Sequence, residues 1–459
     1  MNGKRLFGAA SLSLLIVMSV ATGYANDFNY IANPPRIQVT SGTALPKLTK
    51  PAPLCISVTG LPSPGLCGYE PSAIRSAYNF PTALTGKGQT IVIVDAFGSP
   101  TIRSDLKTFD SAFNIPAPPS FTILCSPSGC PAFNIDSSTQ SANQQGWSIE
   151  TSLDVEYVHA MAPGANIVLA VASTSYGNAI DATEAKAIEL YPGSVMSQSF
   201  GIPEYLVSGN DGQFLQAQRD FQLAKAAGIT VLASAGDAGA TNGASFANAD
   251  FPASDPLVTA VGGTEGLPYP LGLCVYRRKN DSCGYGSEQV WNENQPAIGV
   301  VAASGGAPSL FFPEPSWQAE AGIDLATRAT PDVAYNAAVN GGVLVYWSAV
   351  PGAAGFYFVG GTSAGAPQWA AIFAIANELS AGKGLGPIGF VNPTLYRLAQ
   401  TGAYSKDFHD ITEGDNRLAG TPVGFTAHTG WDDASGWGTP NVANLVRDLV
   451  ACEKTNTCP

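Results

Sequence analysis

The stretch VGGTSAGAPQWAAIFAIAN, Val359–Asn377, decides the fold, because an apolar strand end meets a long apolar helix within it. The pair Gly360 and Gly361 permits a sharp turn or a close backbone approach between the two elements. Ser363 then lies at the start of the helix, where unpaired backbone N–H groups and the positive end of the helix dipole converge. A serine at this position is either a helix cap or a catalytic nucleophile, and the stretch alone leaves both interpretations open.

Upstream of this stretch, apolar runs with the length of strands alternate with runs of helical periodicity. Strands are predicted at 90–95, 166–171, 194–198, 230–233 and 257–261, and helices at 102–113, 147–162, 178–190 and within 212–227. Continuous apolar strands separated by helices are typical of a parallel sheet covered on both faces. The sequence therefore predicts one large three-layer α/β domain with a mostly parallel central sheet.

The first 25 residues have the organisation of a signal peptide. Lys4 and Arg5 precede an apolar run, and Gly23 and Ala25 supply the small residues of a cleavage site. An uncleaved anchor is the alternative, but the apolar run is short for a membrane span. We expect a secreted or extracytoplasmic protein that has no membrane contact after cleavage.

The next segment, residues 26–68, is rich in Pro, Ser and Thr and has no periodicity. We expect an extended leader or linker here, followed by the folded domain over residues 69–459. No linker is evident within that domain, and no internal repeat.

The composition restricts the classes of partner. Acidic residues outnumber basic ones by 35 to 22, which gives a net charge of −13 and argues against nucleic acid as a partner. Only 12% of residues are charged, so few basic groups remain to repel one another when carboxylates are protonated in acid. The composition suits either a protein that works at acidic pH or an ordinary acidic soluble protein.

The eight cysteines fall into four close pairs along the chain, Cys55/Cys67, Cys125/Cys130, Cys274/Cys283 and Cys452/Cys458. An even number of cysteines in an exported protein indicates disulfides. Zinc is the alternative, but it requires closely spaced cysteines together with histidines. Since the chain has only three histidines, we expect four local disulfides.

Two acidic motifs could carry chemistry. Glu150 and Asp154 lie four residues apart on the predicted helix 147–162, so their side chains share one face. In a buried cleft such a pair raises one carboxyl pKa and can act as a general base, whereas on a surface it is simply solvated. Asp237 follows a buried strand in VLASAGDAGA, at the type of strand end where α/β sheets bind ligands. It could form a turn or donate a hydrogen bond while protonated.

Histidine is poorly placed for a catalytic triad around Ser363. His159 lies five residues after Asp154, on roughly the opposite face of the same predicted helix from Glu150. The other histidines are His409 and His428, near the C-terminus. If Ser363 is a nucleophile, carboxylates must activate it.

The C-terminal region concentrates acidic residues among glycines, namely Asp407, Asp410, Glu413, Asp415, Asp432 and Asp433. Hard oxygen ligands on loops, with backbone carbonyls exposed between them, are what Ca²⁺ requires. The EF-hand spacing is absent, so this region is either a calcium site of another kind or an acidic surface loop.

Together these motifs resemble the sedolisins, the serine-carboxyl peptidases with a subtilisin-like fold. The resemblance extends from about Tyr69 to Val450 and follows a shared order of motifs. These are YEPSAIRSAYNFP, LTGKGQTIVIVD, W-x-x-E-x-x-x-D, APGANIVL, SAGDAG, FPASDPLVTAVGGT, ATPDVA, GGTSAGAP and GWDDASGWGTPN. The resemblance implies an acid-active endopeptidase that acts on proteins or peptides, and we expect it to be a monomer.

The resemblance also implies a role for each site residue. Ser363 corresponds to the nucleophile, in GGTSA where the family usually has SGTSA. Glu150 corresponds to its general base, Asp154 to the acid that hydrogen-bonds to the base, and Asp237 to the acid that stabilises the oxyanion. Asp95 is either a third carboxylate of this network or a structural residue at a strand end.

One structural calcium ion is implied as well. The matching side-chain ligands are Asp410 and Asp432, and the matching backbone carbonyls belong to Ile411, His428 and Gly430. His428 occupies a position where the family usually has glycine, which matters only if the backbone there requires a positive φ.

Two departures from the family pattern affect function. Phe200 in SQSFG replaces the tryptophan that the family usually has near the substrate channel, so the fine specificity is open. Sedolisins are usually made with a long folded propeptide, whereas only a short leader is expected before Tyr69. A catalytically inactive binding or scaffold protein on the same fold is therefore one alternative. A metal-dependent hydrolase using the C-terminal acids is another, which the scarcity of histidine disfavours.

Overall fold

The computed structural model describes residues 28–45, 53–61, 65–126, 129–136, 138–207, 211–266, 285–455 and 458. The predicted signal peptide, residues 1–25, lies outside this part, and so does the predicted pair Cys274/Cys283. The other three predicted cysteine pairs form disulfides, Cys55–Cys67, Cys125–Cys130 and Cys452–Cys458. No helix in the described ranges is both long and apolar enough to span a bilayer.

Helices and strands alternate from residue 71 to residue 198, and longer runs of consecutive strands follow. The helices are α1 (Pro71–Ala77), α2 (Ile102–Phe113), α3 (Thr139–Met161), α4 (Gly177–Leu190), α5 (Glu204–Val207), α6 (Asp211–Ala226), α7 (Ser316–Ala319), α8 (Gly365–Gly382), α9 (Asn392–Ala399), α10 (Tyr404–Asp407) and α11 (Val442–Thr455). The strands are β1 (Arg36–Gln38), β2 (Leu54–Ile56), β3 (Leu66–Tyr69), β4 (Thr90–Ala96), β5 (Phe121–Ser126), β6 (Asn166–Ala172), β7 (Val195–Gln198), β8 (Ile202–Pro203), β9 (Thr230–Ser234), β10 (Asp250–Phe251), β11 (Thr259–Glu265), β12 (Gln289–Val290), β13 (Asn292–Gln295), β14 (Val300–Ala303), β15 (Pro308–Pro313), β16 (Thr327–Ala329), β17 (Val333–Asn336), β18 (Gly342–Trp347), β19 (Gly355–Val359), β20 (Phe408–His409) and β21 (Thr439–Pro440).

A parallel sheet forms the centre of the fold. Its strands lie in the order β5-β6-β4-β7-β9-β11-β17, all parallel, and β12 pairs antiparallel with the end of β11. Ile91 and Ile93 of β4 pack in one apolar cluster with α2, α3 and α8. Val92 and Val94 point to the opposite face and pack in a second cluster with α4 and α6. The predicted three-layer α/β architecture is therefore confirmed.

The long helix α3 begins earlier than the sequence predicts. The apolar periodicity indicates a start at Trp147, but the helix begins at Thr139, with the Ser138 hydroxyl accepting a hydrogen bond from the Ser141 N–H. The additional residues TQSANQQG are polar, so they give no periodic signal, and only the cap at Ser138 marks the helix start. From Trp147 to Met161 the helix is buried on all sides.

The part of segment 26–68 that the structure describes packs onto the domain. Strand β1 pairs antiparallel with β19, and the second sheet has the order β1-β19-β18-β3-β2. Strands β1, β2 and most of β3 lie upstream of Tyr69, the predicted start of the domain. Since β1 and β2 have three residues each, they are too short to show the alternation by which a strand is recognised in a sequence.

Candidate active site

The turn before α8 places Ser363 at the carboxyl edge of the parallel sheet. Gly361 has φ of 100°, and a Cβ built on it would lie 2.7 Å from Asp237 Oδ2, so this position requires glycine. Ser363 follows in a 3₁₀ turn, Thr362–Ala364, and is 7% exposed. The N-cap residue of α8 is Ala364, and the Ser363 hydroxyl makes only a long contact of 3.5 Å with the Ser199 carbonyl oxygen. The helix-cap interpretation of Ser363 is therefore wrong.

Two carboxyl groups of α3 are buried beside this serine. Glu150 and Asp154 lie one helical turn apart, and neither is accessible to solvent. Asp95, at the end of β4, is equally buried and interacts electrostatically with both. Burial raises the pKa of all three carboxyl groups well above their usual range. Repulsion from Asp154 and Asp95 raises the pKa of Glu150 further, and repulsion from Asp95 raises the pKa of Asp154 further. The three groups therefore titrate as one cluster that retains protons.

The cluster approaches Ser363 directly through Glu150 and indirectly through Asp154 and Ser199. The Ser363 hydroxyl lies close enough to Glu150 to favour the charged form of that carboxyl group. Strict hydrogen-bond geometry is not reached, since neither Glu150 oxygen has a partner among the described residues. Such contacts are often loose before a substrate is bound. Asp154 Oδ1 accepts a hydrogen bond of 2.8 Å from the Ser199 hydroxyl, which lies 3.3 Å from the Ser363 carbonyl oxygen.

Asp237 approaches Ser363 from the loop after β9. Its Oδ1 accepts hydrogen bonds from the Thr362 N–H at 2.8 Å and from the Thr362 hydroxyl at 2.9 Å. These bonds orient the other oxygen, Oδ2, toward Gly361. Burial raises the pKa of Asp237, and the two bonds from Thr362 only partly offset this effect. A protonated Asp237 can therefore donate a hydrogen bond beside Ser363.

No histidine takes part in this cluster. His159 lies against the Pro116 carbonyl oxygen, 2.7 Å away, and Asp110, and burial lowers its pKa to about 4. His409 stacks on Tyr285, and His428 lies exposed in the C-terminal loop. In the described part of the chain, Ser363 thus lies beside a carboxyl group and away from all three histidines, and activation of Ser363 by carboxylates stays a prediction.

Two residues of the site were not predicted from the sequence. Ser199 links Asp154 to the backbone of Ser363, and Thr362 fixes the orientation of Asp237. Both are small hydroxyl residues next to a predicted element, and nothing in the local sequence marks them. Asp95, for which two roles were open, lies in the carboxyl cluster.

The predicted calcium ligands lie together in the C-terminal loop. Asp410 accepts a hydrogen bond from the Gly430 N–H at 3.2 Å, and Asp432 accepts one from the His428 N–H at 3.0 Å. The carbonyl groups of Ile411, His428 and Gly430 accept no hydrogen bond from the described part of the chain. Two carboxylates and three such carbonyls are oxygen donors of the kind that Ca²⁺ prefers, so the chemistry of these residues fits the ion. Within the same ranges, no cluster of three or more His, Cys, Asp or Glu side chains is arranged to hold a metal ion.

The fold and the site define a parallel α/β protein in which a serine lies among buried carboxylic acids. The chain is 33% identical to kumamolisin from Bacillus sp. (strain MN-32) over 402 residues, which are 83% of this chain and 64% of kumamolisin. It is 27% identical to sedolisin from Pseudomonas sp. (strain 101) over 390 residues, which are 82% of this chain and 60% of sedolisin. Tripeptidyl-peptidase 1 from Rattus norvegicus is 30% identical over 423 residues, which are 83% of this chain and 64% of that protein.

A solved structure of a sedolisin is similar to this chain in fold as well as in sequence. Pseudomonas sedolisin, a serine-carboxyl proteinase complexed with two molecules of pseudo-iodotyrostatin, superimposes with a TM-score of 0.67 at 26% identity. The match covers 84% of this chain and 98% of that structure. No family model matches the chain. The chain belongs to the sedolisin family, and it spans somewhat less than two thirds of the length of kumamolisin and of sedolisin.

Proposed function

We propose that this protein is a secreted, acid-active serine endopeptidase that cleaves proteins or peptides through an acyl-enzyme on Ser363. The observation that carries the proposal is the burial of Ser363 beside Glu150 of the three-carboxyl cluster, with Asp237 bound to the neighbouring Thr362. The similarity to sedolisin, a serine-carboxyl proteinase by description, supports it.

Glu150 serves as the general base. As the Ser363 hydroxyl attacks the carbonyl carbon of the substrate, its proton passes to an ionised Glu150 and the carbonyl oxygen becomes an oxyanion. Asp154 shares the negative charge of the cluster and is held in place by the Ser199 hydroxyl. The proton taken up by Glu150 is then available for the leaving amine, and water hydrolyses the ester by the reverse sequence of transfers.

Asp237 serves as the oxyanion donor. It must be protonated to donate a hydrogen bond to the oxyanion, and burial raises its pKa in the direction that keeps it protonated. Activity then requires one ionised carboxylate in the α3 cluster and a proton on Asp237. These two requirements together restrict activity to acidic pH.

A calcium ion in the C-terminal loop would be held by the side chains of Asp410 and Asp432 and by the carbonyls of Ile411, His428 and Gly430. Its contribution there is the neutralisation of two carboxylates and the fixing of the loop. Asp432 is buried, which raises its pKa in the absence of a cation. The protein is proposed to act as a monomer, without nucleic acid and without membrane contact after signal cleavage.

The experiment that tests the proposal is a pH profile of casein cleavage by the folded protein between about pH 2 and 7. We expect a maximum in the acidic range for the natural chain and no cleavage by Ser363→Ala. Ser197→Ala is the matched control, because Ser197 is buried on β7 and its hydroxyl has no partner among the described residues. Absence of cleavage at every pH would favour the inactive scaffold instead.

A further inference from the structure

A buried asparagine, Asn416, connects the C-terminal loop to the candidate active site. It belongs to a hairpin within that loop, residues 413–427 (the C-terminal hairpin), in which Asp415 and Thr426 form an antiparallel bridge. The Asn416 N–H donates to the Phe425 carbonyl oxygen at 3.1 Å, and the Phe425 N–H donates to Asn416 Oδ1 at 2.7 Å. These two bonds close the hairpin and leave the side-chain nitrogen Nδ2 and the backbone carbonyl of Asn416 for partners outside it.

The C-terminal hairpin packs directly on the loop that follows Asp237. The Ala240 N–H donates to the Asn416 carbonyl oxygen at 3.1 Å. The two backbones approach closely, because a Cβ built on Gly239 would lie 2.6 Å from that same oxygen and 3.0 Å from Leu418 Cβ. The φ of Gly239 is 68°, which also favours glycine. The hairpin therefore fixes the chain two and three residues after the proposed oxyanion donor.

A second connection runs through the residues that follow β14. The Ala303 N–H donates to the carbonyl oxygen of Asp237 at 3.0 Å. Three residues later, the Gly306 carbonyl oxygen accepts a hydrogen bond of 3.0 Å from Asn416 Nδ2. Nδ2 also lies 3.4 Å from the carbonyl oxygen of Asp433, next to a predicted calcium ligand. Asn416 thus holds the loop of Asp237 and the segment on which that loop lies, and ties both to the C-terminal loop.

Every hydrogen-bonding group of Asn416 has a partner, and the residue is inaccessible to solvent. A residue that served only to close the hairpin would need no more than its two bonds to Phe425. The bonds to Ala240 and Gly306 lead out of the hairpin and toward Asp237. Loss of the side chain would leave buried backbone groups without these partners, which is costly in a water-free environment, so the surrounding loops would move to recover them.

We propose that Asn416 is a positioning residue for the oxyanion donor, holding the loop of Asp237 in the place that catalysis at Ser363 requires. The proposal rests on the proposed peptidase function. An oxyanion donor must lie within about 2.7–3.1 Å of the developing oxyanion, so a small shift of the loop removes most of its effect. Asn416 acts through Asp237 and touches no substrate. Its loss should therefore lower kcat and leave KM nearly unchanged.

A double-mutant cycle distinguishes this role from a general loss of stability. The values of kcat and KM for a fluorogenic peptide are measured near pH 4 for Asn416→Ala, Asp237→Ala and the double variant. We expect Asn416→Ala to lower kcat roughly tenfold or more while KM changes by less than about threefold. In the Asp237→Ala background the same replacement should lower kcat by less than about threefold, because the donor that it positions is already absent.

Asn392→Ala is the matched control. Asn392 is equally buried, its Nδ2 donates to the Val258 carbonyl oxygen at 3.0 Å, and its Oδ1 accepts a bond of 2.6 Å from the Thr259 hydroxyl. Because Thr259 begins β11, these partners lie at the opposite end of the parallel strands from Ser363. Asn392→Ala should change kcat by less than about threefold. A comparable fall in this control, or an Asn416→Ala effect of equal size in both Asp237 backgrounds, would overturn the proposal.

Hydrogen–deuterium exchange followed by mass spectrometry gives a readout that does not depend on catalysis. In the natural chain the Ala240 N–H should exchange slowly, because the C-terminal hairpin protects it. Asn416→Ala should speed uptake over residues 236–242 by roughly tenfold, whereas Asn392→Ala should not. Asn416→Ser, a milder replacement, takes its place in both experiments if Asn416→Ala does not fold.

Fast exchange at Ala240 in the natural chain, or equal uptake in the Asn416 and Asn392 variants, would show that Asn416 does not hold the loop. If uptake follows the expectation but the natural chain cleaves no peptide at any pH, the proposed function fails and the contact between the C-terminal hairpin and the Asp237 loop stands.

Discussion

Two replacements of Asp237 distinguish the loss of its hydrogen-bond donor from the loss of its titration. The Thr362 N–H and hydroxyl hold Oδ1 and leave Oδ2 beside Gly361, and the proposed function uses this carboxyl group as the oxyanion donor. Asp237→Ala removes the donor. We expect kcat to fall roughly 10²–10³-fold, which corresponds to about 2.7–4 kcal/mol of transition-state stabilisation.

Asp237→Asn keeps the shape and supplies an N–H donor that does not titrate. In the natural chain Asp237 loses its proton as the pH rises through its raised pKa, and the ionised carboxylate can no longer donate to the oxyanion. We therefore expect Asp237→Asn to lose less activity than Asp237→Ala at acidic pH and to remain active at higher pH than the natural chain.

The assay is kcat and KM for a fluorogenic peptide between pH 2 and 8. Asp324→Asn is the matched control, because this exposed aspartate changes the net charge equally and its φ of 53° suits asparagine. An Asp237→Asn profile with the same alkaline limb as the natural chain would refute the role of Asp237 as a titrating oxyanion donor. So would a kcat of Asp237→Ala close to that of the natural chain.

Three further outcomes are expected. Glu150→Gln should lower kcat by roughly 10²–10⁴ with little change in KM, measured with the same peptide, because it removes the general base; an unchanged kcat would assign that role elsewhere. Burial raises the pKa of Asp255 to about 7, so the folded state holds a proton that the unfolded chain releases above about pH 4, and stability falls as the pH rises from about 4 to 7. Asp255→Asn should reduce this fall by about 4 kcal/mol in urea unfolding at pH 4 and 7.5, and an unchanged fall would contradict the assignment. Chelation of calcium should lower the Tm of the natural chain but not that of Asp410→Ala, and calcium at one hundred times its Kd should add about 2.7 kcal/mol of stability; equal Tm values with and without chelator in the natural chain would show that the loop holds no calcium.

The parts of this fold that could be predicted from the sequence are those with strong periodicity. Helix α2 has the predicted bounds, Ile102–Phe113, because its apolar residues repeat along one face. The start of α3 could not be predicted, because residues 139–146 are polar and only the cap at Ser138 marks it. Strand β1 could not be predicted either, since its pairing with β19 involves residues more than 300 positions away.

The candidate site shows the same division. The spacing of Glu150 and Asp154 on one helix face is a local signal, and the sequence alone marks both residues. Their proximity to Asp237 and Ser363 is a consequence of topology, since parallel strands bring the loops at their carboxyl ends to one edge of the sheet. Ser199 joins the site through that topology alone, so no local pattern could identify it.

The most direct test of the central claim, that carboxyl groups activate Ser363, is identification of the residue acylated during turnover. The protein is mixed with a peptide ester near pH 4, unfolded within milliseconds in acid, digested and mapped by mass spectrometry. We predict an acyl group on Ser363 in the natural chain, and loss of that adduct in Glu150→Gln. An adduct on another residue, or an adduct on Ser363 that forms equally fast in Glu150→Gln, would contradict the claim.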